Sequence, residues 1–378
     1  MSGIIQALLA SLVAAEENYI IFGQGLNNYG QVGDGSNTTR VSPVQLGVDT
    51  DWYQVAGGGT HAVAVRTDGT IWAWGRNTQG ECGQGSNSPS GFNTPQKVGV
   101  ATNWAQCSAG QRHSLAVKTD GTLWGWGYSN SGQLPSGTTN VATQIGALTD
   151  WLQSAAGGQS SSCIKTDGTL WTWGLNNNGQ LGDNSTTNSS SPVQVGALTD
   201  WAQVDMGNLH CAAVKTNGTL WAWGRNFFGQ VGDGTTTNRS SPVQIGALTT
   251  WAAVACGSYH TMAVKTDGTL WSWGRNFRGQ LGDGTTTDRS SPVQIGALTD
   301  WKKIGGGSAI ANFYATSGGN LSGAVKTNGT LWTWGNNSSG QLGLGDATNR
   351  SSPVQVGSNT DWYQFAAGGF FAHEIAED

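Results

Sequence analysis

Four histidines, His61, His113, His210 and His260, share one position in a sentence that is spelled repeatedly along this 378-residue chain. Imidazoles carried to a common axis could ligate a metal, which is the first chemistry to weigh. Three other copies offer Ser160, Leu321 and Phe371 instead, and ligands on separate units would have to converge within bond length. The histidines are therefore expected to build the repeat, each hydrogen-bonded to neighbouring backbone. His373 lies off that register and has no evident partner.

Other chemical candidates fail on spacing. The GDGTTTDR loops, with Asp233, Asp283 and Asp288, resemble calcium loops but lack the alternating oxygen ligands and the terminal Glu. Pairing of the Asp with Arg239 or Arg289 inside each loop is the plainer expectation. Gly23-Gln24-Gly25 has Asn28 where a dinucleotide fingerprint needs its third glycine, and no helix follows. The five cysteines, Cys82, Cys107, Cys163, Cys211 and Cys256, fall at five different repeat positions and read as small buried apolar residues. No nucleophile stands beside a base, and no carboxylate pair or phosphate loop appears. The expectation is a protein that is not an enzyme, with no cofactor and no metal.

What positions these residues is a repeat of about 50 residues. Copies open at Trp52, Trp104, Trp151, Trp201, Trp251, Trp301 and Trp362. In the copy from Trp251, the runs WAAVACG, HTMAVKT, TLWSWG and SPVQIG are short, β-branched or aromatic, and bounded by Gly, Asp or Asn. None is long enough for a helix. The middle two are joined by Asp267-Gly268, and by Asp68-Gly69, Asp120-Gly121, Asp167-Gly168, Asn217-Gly218 and Asn328-Gly329 elsewhere, the residues of a two-residue hairpin turn. Four antiparallel strands per unit, repeated, are propeller blades.

The string G-x-x-H-x-x-A-V-K-T-D-G-T-L-W-x-W-G-x-N-x-x-G-Q-L-G-D-G resembles the repeat of the regulator of chromosome condensation family, over roughly residues 18 to 378. The resemblance implies a seven-bladed propeller. It specifies function weakly, since that family's propellers serve nucleotide exchange, chromatin binding, enzyme inhibition and scaffolding. The ends complete the count. Residues 18–51 hold only the second half of a unit and residues 362–378 only the first half, so six whole units and one composite give seven. The expected fold is all-β, a seven-bladed β-propeller with four-stranded blades, its ring closed by the N- and C-terminal halves of one blade.

Composition agrees with that ring. All 19 Trp are accounted for by seven unit openings and twelve members of six W-x-W pairs, which assigns them to packing between blades. A net charge of −5 argues against a basic nucleic-acid stripe. One cation per blade does recur beside the hairpin turn: Arg66, Lys118, Lys165, Lys215, Lys265 and Lys326. Four of these six are expected to be offset by the Asp of that turn.

Residues 1–17 depart from the repeat. Ile5, Leu8, Leu9, Leu12 and Val13 follow helical spacing with Ser2 as a cap, which predicts a short N-terminal amphipathic helix for attachment or oligomerisation, distinct from the propeller of residues 18–378. A secretory signal is the rival, but no Lys or Arg precedes the apolar run. The segment is too short to span a bilayer. Its other face, Gln6, Ala7, Ala10, Ser11 and Ala14, is uncharged, which suits docking on a partner or on its own copies.

Departures from the repeat gather on one face, where first-to-second and third-to-fourth strand loops emerge. Blade one has the long loop ECGQGSNSPSGFNTPQ, and blade six inserts about eleven residues around Ala309 to Thr316. The two residues inside each N-x-x-G turn vary. Phe227, Phe228 and Phe277 fall on adjacent blades, beside Arg225, Arg275 and Arg278 and near Phe313 and Tyr314; Tyr29 occupies the same turn of the closing blade. Aromatics and Arg at loop tips are the composition of binding hot spots, so these nine residues are the expected partner-binding surface.

Low charge, loops rich in Thr, Asn, Ser and Gly, hardly diverged repeats and a short uncharged helix resemble phage tail and adhesin components. The leading expectation is thus a non-enzymatic binding or structural module of a bacteriophage virion or bacterial surface. It would contact a virion component or its own copies through the helix and a host receptor through the variable face, with no nucleic acid and no membrane span. The alternatives are a secreted or soluble propeller of inhibitor type, and a guanine-nucleotide exchange or chromatin-binding propeller, with a cytoplasmic location as the alternative to the extracellular one.

Overall fold

A computed structural model describes residues 18–305 and 319–378. The expected helix, with Ile5, Leu8, Leu9, Leu12 and Val13, and the blade-six insertion, with Phe313 and Tyr314, lie outside the described residues.

The described residues form seven four-stranded antiparallel sheets arranged as the blades of a propeller. Six are consecutive in sequence. In the seventh, Trp362–Ala367 and Phe371–Glu377 from the C-terminal end pair with Tyr19–Gly25 and Arg40–Gln45 from the N-terminal end. The seam is a full antiparallel ladder from Tyr19 against Glu377 to Gly25 against Phe371. Unpaired strand edges are thereby removed at the one place where the chain would otherwise be open.

Inside six of the blades the buried Trp that opens the unit packs against that blade's own W-x-W pair, as Trp251 does with Trp271 at 6.0 Å and Trp273 at 6.3 Å. Three further devices, repeated round the ring, join one blade to the next. The second Trp of each pair is fully buried and donates its indole N–H to the preceding blade: Trp273 Nε1 reaches the Gln230 carbonyl at 3.0 Å. On the inner strands, Gln203 grips the next blade with both ends of its amide, donating to the Val254 carbonyl at 2.8 Å and accepting from its N–H at 3.1 Å. Gln364 does the same to Val55 across the chain ends. Ala253 and Lys303 interrupt this series.

The histidines are the third device, and their partners differ from the expectation. Each Nε2 meets a side-chain hydroxyl on the following blade, not backbone: His61 meets Ser114 at 3.0 Å, His113 Ser161 at 3.1 Å, His210 Thr261 at 3.0 Å and His260 Ser322 at 2.8 Å. The Thr261 hydroxyl spends its proton on the Gln230 carbonyl at 2.8 Å, so His210 must be the donor, with its proton on Nε2. Blades whose histidine is replaced by Ser160, Leu321 or Phe371 face Cys211, Ala372 and Ala62, which offer no such hydroxyl. Burial holds His61, His113 and His210 down to about 3, so the imidazoles are neutral. His373 has a partner after all: its Nε2 lies 3.1 Å from the Val32 carbonyl, with its ring edge-on to Trp74.

Two local expectations are corrected. The hairpin turns are not two-residue turns with both φ angles positive. Gly268 donates to the Lys265 carbonyl at 2.9 Å and Lys265 to the Thr269 carbonyl at 3.0 Å, and only the glycine is left-handed, with φ +77°. Asp267 instead accepts from the Thr269 N–H and hydroxyl at 2.9 and 2.7 Å, which holds a three-residue loop closed by a glycine bulge. A side chain at Gly268 would also collide with the Thr299 carbonyl. Because the turn Asp is spent on its own Thr, the neighbouring cation pairs elsewhere, with the Asp that precedes the first strand: Lys165 with Asp150 at 3.3 Å, Lys215 with Asp200 at 3.2 Å and Lys326 with Asp300 at 3.5 Å. The long loop of blade one also extends its outer strand, which runs Ser88–Lys97.

Candidate partner-binding face

Strand alternation places the N-x-x-G turns and the G-x-x-H loops on one face, and in blades four and five they meet. The turn of blade four is set by Asn226, whose buried amide donates to Asp233 and to the carbonyls of Thr235 and Thr237, while its oxygen accepts from Val231. Gln230 then accepts from the Phe228 N–H at 2.9 Å. With backbone and framework side chains thus committed, Phe227 is left to point outward while Phe228 is half-buried beside it. Phe227 is 65% exposed and Phe277, its counterpart on blade five, 43%.

These side chains form one contiguous group. Phe227 and Phe228 stack edge-on at 5.0 Å, and Phe228 meets Tyr259 edge-on at 5.7 Å. The Arg275 guanidinium lies 4.0 Å from the Phe277 ring centre, 4.5 Å from that of Phe228 and 5.5 Å from Tyr259. Arg225 sits 5.6–5.9 Å from Phe227, Phe228 and Tyr259, and Arg278 lies 5.0 Å from Phe277. Guanidiniums laid on ring faces are attracted by the ring quadrupole and hold the aromatic groups in place.

Six of the nine expected residues are therefore brought together: Phe227, Phe228, Phe277, Arg225, Arg275 and Arg278. Phe313 and Tyr314 lie outside the described residues. Tyr29 is not part of the group; it belongs to the closing blade and faces Arg76 of blade one at 5.5 Å. Two members were missed. Tyr259 occupies the position just before His260, and Asn208 donates to its hydroxyl at 2.9 Å. The signal was present, because the residue preceding the repeat histidine varies among Thr60, Arg112, Gln159, Leu209, Tyr259, Asn320 and Phe370 and opens onto the same face.

The loop acids are internal struts. Asp233 binds the Arg239 guanidinium at 2.5 Å, Asp283 binds Arg289 at 2.9 Å, and Asp288 accepts from the Asn276 N–H at 2.7 Å. Among the described residues no group of three or more His, Cys, Asp and Glu is placed to hold a metal ion. The cysteines are buried and free, and burial raises the Cys107 thiol far above its ordinary range. Lys303 takes the place of an interblade Gln: its Nζ donates to the Tyr363 carbonyl at 2.7 Å over that ring, and burial lowers it to about 7. No helix of the described residues is long and apolar enough to cross a membrane.

The opposite face carries its cations differently. Lys215 lies 4.8 Å from the Trp201 ring centre and 4.5 Å from Trp221, with Asp200 at its ammonium. Lys265 also lies between two rings, Trp251 and Trp271, but Thr250 stands where Lys215 has Asp200.

The regulator of chromosome condensation (RCC1) repeat matches residues 20–65, 68–117, 167–214, 217–264, 267–311 and 328–372. A second description of the same repeat matches 104–133, 201–230 and 251–280. The ultraviolet-B receptor UVR8 of Arabidopsis thaliana is 31% identical over 123 residues, 31% of this chain and 27% of that protein. The human regulator of chromosome condensation is 31% identical over 109 residues, 29% of this chain and 25% of that protein. The matched stretch thus spans about a quarter of each of these relatives. Among solved structures, Prp20p of Saccharomyces cerevisiae superposes with a TM-score of 0.82 at 20% identity, covering 96% of this chain and 92% of that one. Human WBSCR16 gives 0.80 at 20% identity over 96% and 100%. These two likenesses establish the propeller fold.

Proposed function

From the premise that this chain belongs to the regulator of chromosome condensation repeat family, we propose that it is a non-enzymatic protein-binding propeller whose partner sits on the loop face of blades four and five. The observation that carries this is the group of Phe227, Phe228, Tyr259 and Phe277 interleaved with Arg225, Arg275 and Arg278. Aromatic rings and Arg dominate the energy of protein interfaces, and here Phe227, Phe277 and Arg278 stand exposed at the loop tips of adjacent blades, backed by half-buried Phe228, Tyr259, Arg225 and Arg275.

Binding of proteins is also what is recorded for Prp20p, whose structure was described together with its binding to Gsp1p and histones. We carry over the general property and not those partners. A basic histone segment would meet guanidiniums at this patch, and on the opposite face Lys165, Lys215 and Lys326 are already paired with Asp. The narrower reading as a virion or bacterial-surface component draws no support from the human, plant and yeast relatives above.

Selection from a displayed random-peptide library tests the proposal without knowledge of the partner. Wild type is expected to enrich peptides whose binding is lost when Phe227→Ala and Phe228→Ala are combined. Peptides that bind wild type and the double variant equally would overturn it.

A further inference from the structure

Seven blades of one pattern supply internal controls for charge as well as shape. Arg76, Arg225 and Arg275 occupy the same repeat position. In blade one the next turn supplies Glu81 where the other six blades have Gln31, Gln133, Gln180, Gln230, Gln280 and Gln341. Glu81 lies 3.8 Å from the Arg76 guanidinium and offsets its charge while still accepting from the Gln79 N–H, as each Gln does for its own turn. Blades four and five keep the arginine and lack the carboxylate. Arg278 adds a third cation, and among the described residues none of Arg225, Arg275 and Arg278 forms an ion pair. The acids of the same loops are committed to Arg239, Arg289 and the Asn276 backbone.

An uncompensated cluster of three guanidiniums on a chain of net charge −5 is a specific feature. Each guanidinium centre lies 4.0–5.9 Å from aromatic ring centres, and the planar fork of an arginine suits two-point contact with a carboxylate. We propose that this patch receives an acidic segment of a partner protein, with carboxylates on Arg225, Arg275 and Arg278 and apolar side chains against Phe227 and Phe277. The proposal rests on the reading that the loop face is the protein contact, and it names the chemistry of what binds there. A single nucleic-acid strand also combines negative charge with stacking groups, but it calls for a cationic groove that follows the backbone. Here the cations are confined to two adjacent turns, and the loops around them are neutral or internally paired.

The test is fluorescence anisotropy with three fluorescein-labelled probes: a peptide of Glu-Phe-Asp-Leu repeats, the same peptide with Gln and Asn replacing the acids, and an oligothymidylate of similar length. The acidic peptide should bind at least tenfold more tightly than its neutral counterpart, and Arg275→Gln should weaken it by roughly tenfold, the scale of one charged hydrogen bond. Gln230→Glu transplants the carboxylate of blade one while retaining an acceptor for the Phe228 N–H. It should weaken the acidic peptide with every ring intact and the melting temperature unchanged. Equal binding of the two peptides, tighter binding of the oligothymidylate, or no binding of the acidic peptide would each overturn the proposal. If library peptides are nevertheless lost on the Phe227→Ala, Phe228→Ala variant, the loop face stands as the contact and only its preference for acids fails.

Discussion

The two faces of this ring hold their cations in opposite ways. On the turn face Lys118, Lys165, Lys215, Lys265 and Lys326 each lie between two Trp rings; Lys165, Lys215 and Lys326 also meet an Asp, and their side chains are only 5–8% exposed. On the loop face Arg225, Arg275 and Arg278 also lie on rings, but on Phe and Tyr at the loop tips and with no carboxylate partner among the described residues. The first arrangement spends charge on the joint between strands; the second leaves it for something outside the chain. The first kind of cation recurs in six of the seven blades, whereas the unpaired Arg225, Arg275 and Arg278 are restricted to two.

The sharpest way to break this comparison is to remove a framework ring. Trp273→Ala deletes a fully buried indole that bridges to Gln230, and should lower stability by about 3–5 kcal/mol. Urea unfolding reads this directly, and a loss within experimental error would mean that the ring tolerates a missing joint. Acid supplies a milder perturbation. His113 is held at about 3 when folded against 6.5 for the free side chain, so between these values the unfolded chain takes up a proton that the folded one does not. Its contribution is complete above pH 6.5 and is lost as the pH falls, by up to about 1.4 kcal/mol per unit. His113→Gln should lose less stability than wild type between about pH 6.5 and 5; parallel curves for the two proteins would show a solvated imidazole. The smallest effect belongs to the loop face. Phe227→Ala removes an exposed ring and should change stability by no more than roughly 0.5 kcal/mol. A larger loss would place Phe227 in the framework.

Much of the ring was legible because the repeat is written so plainly. The Trp openings, the Gly-bounded strands and the two half-units at 18–51 and 362–378 give blade number and closure without coordinates. The patch was legible as a cluster of Phe and Arg on neighbouring units. What escaped was set by distances across blades. The pairing of His210 with Thr261, and of Lys215 with Asp200, joins residues whose partners sit one unit away or on the preceding crossover, so local spacing pointed to backbone and to the turn Asp instead. Tyr259 escaped for a related reason: it belongs to a different loop, which only the fold brings against Phe228. Tyr29 shared the right repeat position, yet a ring puts equivalent positions on every blade and only neighbours touch.

The central claim is that only the loop face is free to bind. Amide hydrogen exchange with and without a library-selected peptide tests it most directly. Slowed exchange should be confined to residues 226–229, 258–260 and 276–279. Slowing at the hairpin turns 166–168, 216–218 and 266–268 instead, with the loop tips unchanged, would contradict it.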